Sequence, residues 1–419
     1  MALPKINVHK FGGASVSSAD AVRHMATIVK SFEGNIVIVV SAMGKTTNAL
    51  ERLLHAWMNN SPDYLLIFKE IQDYHHTIIK SLFGHEKLFD DDFEAFKSLL
   101  KEEPSLDFNF EYDKIVSFGE LISTKIVAKY LQQTISDVEW VDIRHCLKTD
   151  TIFREASVDW ELSASLIPKT INFKKHRIFL TQGFIGSTIR NHTTTLGREG
   201  SDYTAAALAW LLDASSVTVW KDVPGIMNAD PKWLPEAVTL KELSYAEAVE
   251  LTYYGAKVIH PKTLRPLQQK NIPLFVRSFV NPALQGTVIG ENALDQGIPF
   301  FIRKENQILI TLYPQDFSFI AYDNIQTIHE VFNKYRLKIN LIQMSALSYS
   351  VCFDNKPEIW ISLKNSLSKA FRLKYNENVE LVTIRHYNDD SIAKIISNTK
   401  VFLEQRTRVT AQFVVSLNN

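Results

Sequence analysis

The sequence is short of several features that often declare a function early. It has only two cysteines in 419 residues, Cys146 and Cys352, far apart and with no CxxC pair. That excludes a disulfide framework and a zinc ribbon, and predicts two buried, reduced thiols in a cytosolic protein. Net charge is absent: 46 Lys and Arg balance 46 Asp and Glu. Neither a general nucleic-acid binder nor a membrane-surface binder is expected from that balance. The longest aliphatic run, 36–40, is far below the ~20 residues that span a bilayer. The opening MALPKINVHKF lacks the apolar stretch and cleavage site of a secretory leader, so a cytoplasmic location is expected. Several catalytic signatures are also missing. GKT at 44–46 matches the end of a Walker A loop, but Val39 stands where that loop needs glycine. No GxGxxG, HExxH or GxSxG occurs.

What the chain does have is an apolar content of 46%, enough for a large core, and a length that suits two or three domains at roughly 100–200 residues each. The first forty residues read as β-α-β. KINVHKF (5–11) alternates as a strand, and a helix from about Ser18 to Phe32 carries Val22, Met25, Val29 and Phe32 on one stripe. Ser17 with Asp20 resembles a capping box. IVIVV (36–40) reads as a strand covered on both faces. This pattern predicts a mostly parallel α/β sheet. Residues 49–110 read as helical throughout. Within them Asp90–Asp92 read as a solvated loop, and the adjacent His75 and His76 as surface residues. Strands return at 138–142, 177–181, 216–220 and 273–278, with helices at 202–213 and 245–254. The second helix has a Ser244/Glu247 capping box and stops at Gly255. A linker is expected at 291–299. The tail then reads β (307–313), α (323–336), β (339–345), β (348–354), α (358–372), β (379–386), the order of a small α+β ferredoxin-like sandwich. A short helix and a final strand at 408–416 are left over.

Four small-residue loops fall at strand-to-helix junctions: Lys10 to Gly13, Ser41 to Gly44, Gly183 to Gly186, and Gly197 to Asp202. In open α/β sheets ligands bind at such junctions. Glycine lets the backbone approach phosphate, and a helix N-terminus offers free N–H groups. With Lys10, Arg198 and Asp202 interspersed, the set points to phosphate chemistry.

The fuller motifs are KFGGASV (10–16), VVSAMGKTTN (39–48), SFGE (117–120), TQGFIGS (181–187), TTTLGREGSDYTAA (193–206), VWKDVPGIMNADP (219–231) and GAKVIHP (255–261). In that order they resemble the aspartate kinases of the amino-acid kinase superfamily, over nearly the whole chain. The resemblance implies a three-layer catalytic domain at 1–292. It also implies an ACT regulatory and dimerisation region at 300–419, as one full module and a shortened or interwoven second. The implied reaction joins ATP, with Mg²⁺, to L-aspartate. Lys10 matches the phosphate-contacting lysine and Asp202 the catalytic aspartate that orients it or the Mg²⁺-nucleotide. Arg198 matches the guanidinium on the substrate α-carboxylate, and Glu120 the acid on its α-ammonium. Ser41, Thr47 and Ser201 line the same pocket. Thr193, Thr194 and Thr195 share the substrate loop and receive no role.

On the nucleotide side the matching positions are Lys10, Gly12, Gly13, Lys221, Asp222, Met227, Lys232 and Lys257, with no protein metal ligand assigned. Several residues depart from the family pattern. Lys221 replaces a frequent threonine, Met227 a tyrosine, Lys232 an arginine, and Glu199 a glycine. Asn340, with Ser345 on the effector strand, stands where aspartate is frequent. A neutral amide there predicts weak or absent lysine inhibition, with the tail serving mainly a homodimer. The end at Asn419 suggests no fused dehydrogenase. Two alternatives stay open: a kinase acting on another amino acid of the same superfamily, and a catalytically silent amino-acid sensor.

Overall fold

The computed structural model describes all residues except 1–4, 257–258, 292, 294–296, 317 and 418–419. The elements in chain order are β1 (Ile6–Phe11), α1 (Ala19–Lys30), β2 (Asn35–Val40), α2 (Thr46–Met58), α3 (Asp63–Phe83), α4 (Asp90–Leu99), α5 (Phe108–Thr134), β3 (Val138–Val141), α6 (Trp160–Thr170), β4 (Ile178–Gln182), β5 (Ile185–Ser187), β6 (Thr193–Thr195), α7 (Gly200–Leu211), β7 (Ser216–Lys221), β8 (Glu242–Ser244), α8 (Tyr245–Tyr254), α9 (Pro261–Gln269), β9 (Leu274–Ser278) and β10 (Thr287–Gly290). The tail adds β11 (Phe300–Pro314), α10 (Tyr322–Lys334), β12 (Ile339–Met344), β13 (Tyr349–Asp354), α11 (Pro357–Leu367), β14 (Phe371–Arg385), α12 (Asp389–Ile396), β15 (Thr399–Arg406) and β16 (Thr410–Leu417). Two compact units result. One holds 1–226, 239–249 and 258–294; the other holds 227–238, 250–257 and 295–419.

The first unit is built on an eight-stranded sheet, β3-β4-β2-β1-β7-β9-β10-β8. All its pairs are parallel except β9 with β10. Ile36 to Val40 are fully buried, as a strand covered on both faces requires. The chain leaves β1 toward β2 on one side and later places β7 on the other. The carboxyl end of β1 is thus a topological switch point, where open α/β sheets bind ligands. Lys10 occupies that end.

Three local expectations need correction. Asp90–Asp92 are not a loop but the first turn of α4, where a helix N-terminus favours carboxylates. There Asp92 pairs with Lys125, and Asp90 lies 3.0 Å from His76 Nε2. His75 and His76 are not surface residues. His75 is fully buried, its Nδ1 2.7 Å from the Ile71 carbonyl, and burial drives its pKa down to about 4. His76 is largely covered against Phe93. The cap of α1 is Ser18, whose hydroxyl accepts from Ala21 N at 3.1 Å, one residue later than the sequence suggests.

The second unit carries a six-stranded antiparallel sheet, β12-β13-β11-β14-β16-β15. β11 and β14 run through both halves, each 15 residues long, with a register shift between Lys304 and Leu309. One half packs Ile308, Ile310 and Leu312 against α10 and α11 through Ile328, Phe332, Trp360 and Leu363. The other packs Phe301, Val382, Ile384 and Phe413 beneath α12, with Trp233 and Leu234 from 227–238 in the same core. That segment adds cover the tail sequence does not itself supply. β15, at one sheet edge, is a strand the sequence reading missed, and β11 begins earlier than 307. Both cysteines are free and buried, and burial raises each thiol to about 12. No helix among the described residues is long and apolar enough to cross a membrane.

Candidate active site

Lys10 and Asp202 meet at the end of β1. Lys10 Nζ lies 2.7 Å from Asp202 Oδ1, and both side chains are nearly inaccessible. Asp202 stands in the first turn of α7. Burial alone would raise its pKa, but Lys10 and then Lys221 outweigh it and hold the carboxyl below its ordinary range. The two form a close ion pair, and the carboxylate keeps lone pairs that Lys10 does not use.

Two glycines make the close packing here feasible. A Cβ on Gly13 would sit 2.7 Å from the Ala42 carbonyl and 2.9 Å from that of Gly44. The loops after β1 and β2 therefore touch backbone to backbone, tied by Gly44 N to Gly13 O at 3.0 Å. A Cβ on Gly183 would come within 2.5 Å of Ser201 Cβ, so only glycine lets the loop after β4 meet the start of α7. Gly12 lies open beside the ammonium, its Cβ position 3.5 Å from Lys10 Nζ.

Glu120 comes from α5 and is buried, with Oε2 lacking any hydrogen-bond partner. Burial raises its pKa to about 8, against the opposing pull of Lys10 and the Ala42 N–H. An orphaned carboxylate oxygen of this kind is shaped for an incoming cation. Ser41 follows β2, its carbonyl held by Ser123 Oγ at 2.7 Å, and Thr47 is in the first turn of α2. Ser201 is buried at the start of α7. Arg198 is exposed and makes no hydrogen bond or ion pair to any described residue. Lys221 ends β7 and Asp222 is exposed just beyond it. Met227 and Lys232 belong to the second unit, and Lys257 lies outside the described residues. Among the described residues no group of three or more His, Cys, Asp or Glu is arranged to hold a metal ion.

On the tail sheet, Asn340 is fully engaged. Its Oδ1 accepts from Lys304 Nζ at 2.8 Å, and its Nδ2 donates to Gln307 Oε1 at 2.8 Å and Asp354 Oδ1 at 2.9 Å. Ser345 is exposed, with its hydroxyl 2.7 Å from that of Ser348.

The sequence reading missed Asp113, two helical turns before Glu120 and so on the same face of α5. It accepts from Thr195 N at 2.8 Å, Thr195 Oγ1 at 2.6 Å and Arg154 N at 3.0 Å. Burial raises its pKa to about 6 despite those bonds and the nearby Arg154 charge. An acid seven places before a motif acid was the available signal. It also gives the unassigned Thr195 a role as an anchor.

The profile of the amino acid kinase family matches residues 5–278. Lysine-sensitive aspartokinase 3 of Escherichia coli (strain K12) is 32% identical over 408 residues, which is 91% of this chain and 87% of that protein. A bifunctional aspartokinase/homoserine dehydrogenase 1 of Arabidopsis thaliana is 29% identical over 382 residues, and the chain spans only 42% of its length. Among solved structures, E. coli aspartokinase III in complex with lysine and aspartate (T-state) superposes with a TM-score of 0.83 at 28% identity, covering 98% of this chain and 96% of that one. The same enzyme with aspartate and ADP (R-state) gives 0.79. A family profile over more than half the sequence, and a relative matched along most of its length, agree with the geometry at β1: this chain belongs to the amino acid kinase family and, within it, to the aspartokinases.

Proposed function

We propose that the chain transfers the γ-phosphoryl group of ATP to the side-chain carboxylate of L-aspartate, giving 4-phospho-L-aspartate and ADP. This is the first step toward lysine, threonine and methionine. The observation that carries the reading is the buried Lys10–Asp202 pair at the switch point, with the orphaned oxygen of Glu120 supplied from α5.

The nucleophile needs no base. A free aspartate side chain has a pKa of about 3.9 and is already ionised at neutral pH. The barrier is the approach of an anion to a polyphosphate, so catalysis rests on positioning and charge neutralisation. Lys10 is a compact, strand-anchored ammonium suited to the phosphoryl oxygens as charge builds on them. Asp202 fixes where that ammonium points and moves no proton. Arg198, without a partner among the described residues, takes the α-carboxylate through its planar fork. Glu120 takes the α-ammonium, and Ser41, Thr47 and Ser201 bound the pocket. Gly12 and Gly13 leave backbone close to the phosphates, and Lys221 and Asp222 flank the nucleotide. Met227, Lys232 and Lys257 match nucleotide-side positions on the resemblance alone. Mg²⁺ carried by the nucleotide would supply further charge neutralisation; Asp202, beside Lys10 and with lone pairs to spare, is the buried carboxylate that would face such an ion, while the orphaned oxygen of Glu120 is assigned to the substrate ammonium.

We further propose a homodimer through the tail, whose sheet ends in the open edges of β12 and β15. Lysine should inhibit weakly or not at all, because Asn340 is neutral and already spent on Lys304, Gln307 and Asp354. The deciding experiment measures ADP release with aspartate, glutamate and N-acetylglutamate, with hydroxylamine trapping of the acyl phosphate. Turnover and trapping with aspartate support the reading. ADP release with another acid moves the chain to a different kinase of the family, and no acid-dependent release moves it to a sensor.

A further inference from the structure

Glu199 has a left-handed backbone, φ 53° and ψ 31°, immediately before α7. A non-glycine residue there bears a steric cost that its surroundings must offset. Among the described residues its side chain makes one bond: Oε2 accepts from the backbone N of His260 at 2.9 Å. His260 is the N-cap of α9, and its Nδ1 in turn accepts from Lys262 N at 3.2 Å. Lys262 reaches back to the same loop. Its Nζ donates to the Leu196 carbonyl at 2.9 Å and to that of Ala156 at 3.3 Å, and lies over the Tyr203 ring at 4.6 Å. The first turn of α9 therefore grips the loop on both sides of Gly197–Arg198, at Leu196 and at Glu199. Asp113 of α5 holds the preceding residue, Thr195. Between these ties the Arg198 guanidinium has no partner among the described residues.

We propose that Glu199 is a positioning residue, a latch that keeps the Arg198 loop in its substrate-receiving form before substrate arrives. Glycine, frequent at this place in the resembling family, tolerates the left-handed backbone but has no side chain to close the latch. Ordering a loop in advance removes a cost that binding would otherwise meet. The effect belongs to aspartate affinity rather than to the phosphoryl step, because the Glu199 side chain bonds His260 and not Lys10 or Asp202; Asp202 N meets only the Glu199 backbone carbonyl, at 3.0 Å, which both variants below keep. The proposal rests on the reading of Arg198 as the ligand of the substrate α-carboxylate.

An alternative effect of Glu199 is simple charge: a carboxylate beside Arg198 would weaken its hold on an anion. Two variants separate them. Glu199→Gly keeps the backbone shape and removes the acceptor; Glu199→Gln keeps an acceptor and removes the charge. The latch predicts that the glycine variant raises aspartate KM roughly three- to tenfold, the scale of one ordinary hydrogen bond, with ATP KM and kcat nearly unchanged. The glutamine variant should stay near wild type. In the substrate-free protein, amide hydrogen exchange at His260 and 196–200 should accelerate in the glycine variant and not in the glutamine one. Equal behaviour of the two variants, or wild-type exchange in the glycine variant, overturns the latch. If the wild type shows no aspartate-dependent turnover, the reading of function fails on its own terms, and the exchange experiment still decides the latch.

Discussion

Lys10 and Glu120 are the residues whose chemistry is most exposed to test. Lys10→Ala removes the ammonium that we propose acts on the reacting phosphoryl group. It should lower kcat by ~10²–10³ while aspartate KM moves little, as steady-state kinetics will show. A variant within twofold of wild type would take Lys10 out of the mechanism. Burial pushes the Glu120 pKa up to about 8, which favours its protonated form near neutral pH before substrate binds. Pairing with an ammonium needs the carboxylate, so aspartate binding releases a proton. Aspartate KM should therefore fall as pH rises from about 6.5 toward 8, by at most about tenfold per unit. The same shift has a sign for stability. The folded pKa lies above the ordinary 4.5, so ionised Glu120 disfavours the fold. Relative to Glu120→Gln, the wild type should lose stability as pH climbs from about 4.5 through 8, and denaturant midpoints across that range will read it. Lys10 was legible as a lysine at a strand end beside Gly12 and Gly13, whereas Glu120 was legible only through the resemblance carried by SFGE. Asp113 was not. Its spacing from Glu120 was visible, but its importance comes from meeting Thr195 across the fold, a contact that spacing does not encode.

Elements show the same division. β1, α1 and β2 were readable because alternation, a helical apolar stripe and an aliphatic run each have one sensible partner. Asp90–Asp92 misled because three carboxylates suit a solvated loop and a helix N-terminus equally; the apolar Phe93 and Phe96 behind them decide for the helix. The buried His75 shows that a histidine satisfied by its own helix leaves no trace in spacing. Two predictions belong at this scale. Gly183→Ala drives a methyl into Ser201 at the start of α7, so stability should drop by ~1–3 kcal/mol, measurable by chemical denaturation. Aspartate KM should rise with it, because Arg198 and Asp202 flank that contact. On the tail sheet, Asn340→Asp keeps the Lys304 contact but loses the N–H donor to both Gln307 and Asp354 and sets a second carboxylate against Asp354. The variant should have a lower denaturation midpoint near pH 7.5, and Asp354→Asn in the same chain should restore it. Unchanged midpoints in the single variant would mean that the pair does not repel.

The whole molecule answers to assembly and to order along the chain. Light scattering at micromolar concentration should report a dimer, since an open-edged sheet left alone invites uncontrolled pairing. A monomer would confine the tail to some other task. The sequence showed a tail of sheet and helices but not that residues 227–238 belong to the same unit, because nothing in that segment reads as an element of its own. This interleaving has a consequence in time. Trp233 and Leu234 complete their core only with Phe301, Val382 and Phe413, the last of which lies near the end of the chain. A ribosome adding about 5–20 residues each second leaves those side chains waiting on the order of ten to thirty seconds for their partners. During that interval the nascent protein shows a sticky, unfinished surface, so its yield in a cell should depend on chaperones at the exit tunnel far more than its finished stability would suggest.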